Sequence, residues 1–173
     1  MIQATNCLLR RDNQILLAMK KLTICYLIRE NQILLAMKKR GFGVGKWNGV
    51  GGKQESEETI EGAAVREIKE EIKVNVNSQD LEEVARIKFY FFKKEEWNQE
   101  VCVYFVRKWE GEPEETEEMR PQWFNLDQIP YEEMWVADEK WLSRIIKGEK
   151  VIGEVHFNQD GSESRKINIR SIK

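Results

Sequence analysis

Histidine is almost absent: the 173 residues contain one, His156. Two-histidine metal motifs are therefore excluded, and a Ser/His/Asp or Cys/His mechanism would rest on this single ring. It lies in an alternating C-terminal segment and reads as a plain structural or surface imidazole. Cysteine is scarce and odd in number: Cys7, Cys25 and Cys102 lack C-x-x-C spacing, which argues against a disulfide framework and a zinc site. Nor is one sign of charge in excess. Lys and Arg number 28 against 30 Asp and Glu, a net charge of -2, so no basic field exists to hold a nucleic-acid polymer or an anionic membrane. Apolar runs are only a few residues long, and Asn6, Arg10 and Arg11 fall where a signal peptide needs a continuous apolar segment. A cytoplasmic location is expected. No Pro/Gly/Ser-rich linker divides the chain, and 41% apolar residues suffice for one core. What is plentiful is carboxylate, and chemistry is sought there.

The N-terminus contains a repeat. Asn13–Lys21 and Asn31–Lys39 both read NQILLAMKK, and Thr5/Thr23, Cys7/Cys25, Leu9/Leu27 and Arg11/Arg29 match at the same offset. The duplicated unit is Ala4–Lys21 against Leu22–Lys39, a strand, turn and strand; two copies are too few for a solenoid. One face of the second copy carries Ile24, Tyr26 and Ile28, whereas the first has Asn6, Leu8 and Arg10 there. Burying unpartnered Asn6 and Arg10 would cost several kcal/mol, so the second copy is expected in the core. Residues 1–21 then form an extra copy beside a single domain of residues 22–173. The chain is expected to be a monomer, with a strand-swapped dimer through the repeat as the alternative.

Gly41–Gly52 (GFGVGKWNGVGG) reads as a loop that approaches a partner closely. Thr59–Ile72 places Ile60, Ala64, Ile68 and Ile72 four apart, which predicts a helix. Glu83–Lys93 and Gln99–Trp109 are aromatic and β-branched runs, read as antiparallel strands, and Glu110–Glu118 as a solvated acidic loop. Trp123 and Phe124 indicate a short strand. Asp138–Lys147 fits a helix capped by Asp138 or a neighbour. Val151–Phe157 and Arg165–Ile172 form a hairpin around Gln159-Asp160-Gly161-Ser162. One mixed α/β domain follows.

On the first helix, Glu67, Glu70 and Glu71 stand at i, i+3 and i+4 beside the apolar stripe. Three like charges so placed repel, and clustered carboxylate oxygens suit Mg²⁺ or Mn²⁺ better than zinc. A solvated acidic face paired with Arg66, Lys69 and Lys73 is the simpler alternative. The adjacent glycine loop, with Lys46 and Lys53, shifts the balance. Backbone N–H groups and an acidic helix face on either side of one cleft are a way to handle phosphates. Metal-assisted water attack on a phosphoanhydride needs a carboxylate to take the proton and no histidine.

These residues resemble the Nudix hydrolase pattern: Gly52, Glu58, Arg66, Glu67, Ile68, Glu70 and Glu71 occupy its spaced positions. Lys73 stands where the family has a helix-ending Gly, which bears on the helix terminus more than on the chemistry. The resemblance implies an α/β/α sandwich around a mixed sheet, of α+β class. From about Leu22 to Lys173 the chain is similar to the family's animal-type branch acting on oxidised purine nucleoside triphosphates, through Met37–Lys53, Met119–Pro130 and the stretch from Met134-Trp135 to Trp141. That likeness implies metal ligands at the Gly51 carbonyl, Glu67, Glu70, Glu71 and Glu118. It implies Glu71 as water-activating or metal-bridging base, Glu67 as a principal ligand and Arg66 as an orienting partner, with cleavage of the α–β anhydride to monophosphate and pyrophosphate.

Asn48 offers both a donor and an acceptor to a purine edge, Asp138 can pair in either protonation state, and Trp135 supplies a stacking face. The resemblance places these three around the base, with Thr23, Lys38, Phe42, Gly52, Lys53, Met119, Trp141 and Phe89 or Phe91 completing the substrate site. Taken alone, the two tryptophans would read as core. Where the family has two consecutive aspartates this chain has Ala137 and Asp138, so a narrower or weaker preference for oxidised bases is expected. Two other readings stand beside this one. One is a Nudix enzyme for O6-methylated or unmodified dNTPs, ADP-ribose or dinucleoside polyphosphates. The other is a non-catalytic nucleotide-binding module, against which the intact Glu67, Glu70 and Glu71 speak.

Overall fold

In the computed structural model the described residues are 19–172, together with the backbone of 9–11 and 14–16. Along the chain run β1 (Leu9–Arg11), β2 (Gln14–Leu16), β3 (Lys20–Arg29), β4 (Gln32–Lys38), β5 (Trp47–Asn48) and α1 (Ile60–Ile72). Then follow β6 (Leu81–Phe91), β7 (Gln99–Val106), β8 (Met119–Asn125), α2 (Asp138–Ile146), β9 (Lys150–Phe157) and β10 (Ser164–Ile172).

The main sheet has the order β10-β9-β6-β7-β3-β4-β5, with β8 also paired to β4. It is mixed: β3 lies parallel to β7 and β6 parallel to β9, while the other pairs are antiparallel. Side-chain alternation along β3 sends Cys25 and Leu27 to one face and Tyr26 and Ile28 to the other. The first face packs on Ala64, Ile68 and Ile72 of α1, and the second on Trp141, Leu142 and Ile145 of α2. The result is the α/β/α sandwich of α+β class expected from the sequence.

The second copy of the repeat holds the core seat: Tyr26, Ile28, Ile33 and Leu35 are buried. In the first copy, β1 and β2 form a separate two-stranded hairpin pairing Arg10 with Ile15 and Arg11 with Gln14. That register repeats, eighteen positions earlier, the pairing of Ile28 with Ile33 and Arg29 with Gln32. Asn6, Leu8 and the Arg10 side chain, on which the comparison of faces turns, lie outside the described residues.

Helix α1 begins where Thr59 accepts from the Gly62 N–H at 3.0 Å and stops at Lys73, which takes left-handed angles (φ 64, ψ 17). The helix therefore ends where the family's glycine would end it. Helix α2 departs from expectation at its start. Its N-cap is Ala137, with no side-chain cap, and Asp138 is the first helical residue. The Asp138 carboxylate accepts instead from the Trp135 N–H at 3.3 Å, because its side chain faces inward rather than along the helix end. The strand read as Gln99–Trp109 ends at Val106, and that around Trp123 extends over Met119–Asn125 because β4 supplies a full-length partner.

Candidate active site

Strands β3 and β4 pair only at their turn, Ile28 with Ile33 and Arg29 with Gln32. Beyond it they diverge, and residues Val50 to Gln54 hydrogen-bond to the edge of β3 so released. Cys25 N donates to the Val50 carbonyl at 2.6 Å, Thr23 N to that of Gly52 at 2.9 Å, and Gln54 N to that of Lys21 at 2.9 Å. This inserted segment lies against the acidic face of α1. A Cβ on Gly51 would fall 2.1 Å from the Thr23 carbonyl oxygen, so that position requires glycine by close approach of backbone, and one on Gly52 would fall 2.3 Å from Glu67 Oε1, which would have to shift.

The three helix glutamates differ in environment. Glu71 is 4% exposed; its Oε2 accepts from the Gly51 N–H at 2.9 Å, and Lys38 Nζ lies 3.8 Å from its Oε1. Burial pushes its pKa up to about 7, against the pull of the Gly51 N–H and Lys38. Burial also raises Glu67, although Arg66 donates to it at 2.8 Å. The Glu70 side chain is 61% exposed, 3.4 Å from Arg66. Arg66 organises this side of the cleft: it donates to both oxygens of Glu58 at 2.8 and 3.2 Å and to the Lys53 carbonyl at 3.1 Å. Glu118 arrives from the acidic loop. That loop is fastened to α1 by the Thr116 hydroxyl, which donates to the Glu71 carbonyl at 2.9 Å, and Glu118 pairs with Arg40, which holds its carboxyl below the usual range.

A cavity of about 770 Å³ is lined by Glu67, Glu70, Glu71 and Glu118 together with Lys39, Arg40 and Lys73. Among the described residues no three acidic, histidine or cysteine side chains already converge as a metal-ligand cluster, because Glu67 turns to Arg66, Glu118 to Arg40 and Glu71 to Gly51. The donor set nevertheless fits a hard divalent cation. It consists of carboxylate oxygens, and among the described residues the one cation paired with the buried Glu71, which lies beside Glu67, is Lys38 at 3.8 Å.

A second cavity, of about 560 Å³, adjoins the first and shares Arg40 and Glu118 with it. Its wall includes the expected Thr23, Lys38, Phe42, Asn48, Gly51, Gly52, Phe89, Phe91, Met119, Trp135 and Asp138. Phe42 stacks on Trp135, ring centroids 5.0 Å apart at 27°. The loop that carries Phe42 needs Gly43, whose φ is +83 and whose missing Cβ would lie 3.3 Å from the Trp135 ring. Asp138 is fully buried and its pKa is raised to about 7 by that burial, against the Trp135 N–H, Trp141 and Lys46.

Two expected substrate residues are placed elsewhere. Trp141 is 1% exposed on the core-facing side of α2 and does not line the cavity; its Nε1 lies near enough to Asp138 to lower that pKa, yet among the described residues meets no acceptor at hydrogen-bond geometry. Lys53 lines neither cavity; its backbone bridges Leu22 and its carbonyl accepts from Arg66. Conversely, Arg40, Gln99 and Phe157 line the base-side cavity without having been singled out from the sequence. Gln99 left a legible signal: it is a polar residue in alternation with Val101, Val103 and Phe105, all on the apolar face of β7. Lys46 donates to the Met134 carbonyl at 3.3 Å and sits 5.2 Å over the Trp135 ring, tying the glycine loop to the segment before α2.

Inserted glycines, an arginine-held glutamate helix and a cavity beside it define a nucleotide-hydrolase type of site, and comparison with known proteins agrees. The NUDIX domain pattern matches residues 19–145, and the chain belongs to that family. It is 44% identical over 119 residues to the oxidized purine nucleoside triphosphate hydrolase of Danio rerio, covering 69% of this chain and 74% of that one. With the protein of the same name from Mus musculus it shares 40% identity over 134 residues, 78% of this chain and 83% of that one. The crystal structure of a mutator MutT protein from Bacillus halodurans superimposes with a TM-score of 0.74 at 23% identity, over 87% of this chain and 97% of that one, a likeness of fold. Among the described residues no helix is long and apolar enough to cross a membrane.

Proposed function

We propose that this protein is a Mg²⁺-dependent, cytoplasmic pyrophosphohydrolase of purine nucleoside triphosphates, with oxidised bases such as 8-oxo-dGTP preferred. Mn²⁺ is an alternative metal. The observation that carries this reading is the junction of the two cavities at Arg40 and Glu118. A base stacked against Trp135 leaves its triphosphate directed along Gly51, Gly52 and Lys38 toward the glutamates of α1. The names of the two vertebrate relatives support the same substrate class.

In this reading Gly51, Glu67, Glu70, Glu71 and Glu118 would hold the metal. Bound there, a divalent ion supplies polarisation of phosphate oxygens and a lowered pKa for water. Glu71 takes the proton of the attacking water, its carboxylate held in place by the Gly51 N–H. Arg66 orients Glu67 and Glu58, and Lys38 and Arg40 offset the triphosphate charge. Water adds across the α–β anhydride, giving the nucleoside monophosphate and pyrophosphate. Asn48 and Asp138 contact the base edge. Because Ala137 is a buried methyl in place of a second carboxylate, the preference among oxidised purines is narrower. Residues 22–173 constitute the hydrolase domain, residues 1–21 an additional copy of its first hairpin, and the enzyme works as a monomer.

Product chromatography after incubation with 8-oxo-dGTP tests the reading. Release of 8-oxo-dGMP and pyrophosphate with Mg²⁺, abolished by EDTA, is expected. Release of orthophosphate, or hydrolysis indifferent to EDTA, contradicts it.

A further inference from the structure

Tyr26 is fully buried beneath the base-side cavity, and its hydroxyl donates to Asn48 Oδ1 at 3.0 Å. The same oxygen accepts from the Gly49 N–H at 2.8 Å. A backbone N–H can only donate, so the atom facing it is the amide oxygen, and the Asn48 amide has one orientation. Burial keeps the Tyr26 phenol neutral and hence also a donor. Its ring is fixed between Phe105, edge-on at 6.4 Å, and Trp141, tilted at 6.4 Å. With Oδ1 engaged twice, Asn48 has only its N–H donors left to offer the cavity it lines. A freely turning amide could meet either a carbonyl or an amino group; this one can meet only an acceptor. Asp138, on the same cavity, can donate or accept and imposes no such choice.

We infer that Tyr26 is a positioning residue that, beside the Gly49 N–H, occupies the remaining acceptor site of Asn48 Oδ1, leaves Asn48 only a donor to offer and thereby makes the pocket select 6-oxopurines over 6-aminopurines. The inference rests on Asn48 being a base contact that faces position 6 of the purine, and it names the guanine-type nucleotides as the substrate class. The test is kcat/KM for 8-oxo-dGTP against 8-oxo-dATP. The wild-type protein should favour the former by about tenfold or more, as for a site built to hydrogen-bond one edge. Tyr26→Phe keeps the ring and removes only the hydroxyl; the ratio should fall about fivefold, the worth of one neutral hydrogen bond, with little change in Tm. Asn48→Asp puts an oxygen where the nitrogen faces the base, and should turn the preference toward 8-oxo-dATP whether or not Tyr26→Phe folds. Equal wild-type turnover of the two nucleotides, or an unchanged ratio in both variants, overturns the inference and leaves the hydrolase reading standing. No turnover of either nucleotide, with no calorimetric binding of 8-oxo-dGMP, overturns the base-pocket reading and this inference with it.

Discussion

Adding one methyl group at Gly52 should separate activity from stability. The new Cβ would lie 2.3, 2.5 and 2.7 Å from the three carboxyl atoms of Glu67, so that carboxylate must retreat by about 1 Å to reach ordinary contact. Glu67 is the far end of a flexible side chain, and Gly52 has no left-handed φ, so the backbone need not move. The crowding should cost about 1 kcal/mol, and the reduced entropy of the unfolded chain should return about half of that or more. Displacing a group at the reacting centre by 1 Å lowers turnover by roughly 10²-fold. Gly52→Ala should therefore melt within a few degrees of wild type while kcat/KM for 8-oxo-dGTP drops about a hundredfold. Gly51→Ala is the control: its Cβ would lie 2.1 Å from the Thr23 carbonyl oxygen at φ +155, and the obstacle is backbone. That variant should lose several kcal/mol through the broken β3 edge. Thermal melts and steady-state kinetics on the two variants decide the matter. Full activity in Gly52→Ala, or a melt as low as that of Gly51→Ala, refutes the reasoning.

Asp138→Asn should change how stability responds to pH. The folded-state pKa of Asp138 is raised from 3.8 to about 7, so between these values the native state keeps a proton that the unfolded chain has lost, and stability falls as pH rises. Thermal melts from pH 5 to 8 should show the amide variant gaining on wild type across that window, by up to roughly 3 kcal/mol; parallel curves contradict the burial argument. Lys73→Gly relieves a left-handed residue at the end of α1 and should raise stability by about 0.5–1 kcal/mol in denaturant titration, whereas a loss would mean that the Lys73 contact to the Glu70 carbonyl outweighs the strain. Arg66→Lys cannot reproduce the fork that joins Glu58, Glu67 and the Lys53 carbonyl, and kcat/KM should fall about 10- to 100-fold; unchanged kinetics would remove Arg66 from the site.

Local features were legible in the sequence and long-range ones were not. The period of Ile60, Ala64, Ile68 and Ile72 specified α1, and the polarity of Asn6 and Arg10 against Ile24 and Ile28 assigned the core seat to the second hairpin, which Tyr26 and Ile28 occupy. The spacing of Glu67, Glu70 and Glu71 indicated an acidic face but not its gradation from the buried Glu71 to the exposed Glu70. That gradation depends on residues Val50 to Gln54 entering between β3 and β4, a pairing set by tertiary geometry. Asp138 carried the sequence signature of a helix cap, yet the cavity beside it turned its carboxylate inward to the Trp135 N–H. Trp141 shares a matched segment with Trp135, yet Trp141 lies on the buried side of α2 and packs in the core, whereas Trp135 precedes that helix and lines the cavity. The bond from Tyr26 to Asn48 joins residues 22 positions apart and has no local signal at all.

The central claim is that the glutamate face of α1 works with the adjoining base cavity as one site. Steady-state hydrolysis of 8-oxo-dGTP and dGTP with Mg²⁺, by wild type and by Glu71→Gln, tests it most directly. The account predicts a clear wild-type preference for the oxidised base and, in the variant, a collapse of kcat by at least about 10²-fold at unchanged fold. Equal turnover of the two nucleotides, or a Glu71→Gln variant that retains wild-type kcat, would contradict it.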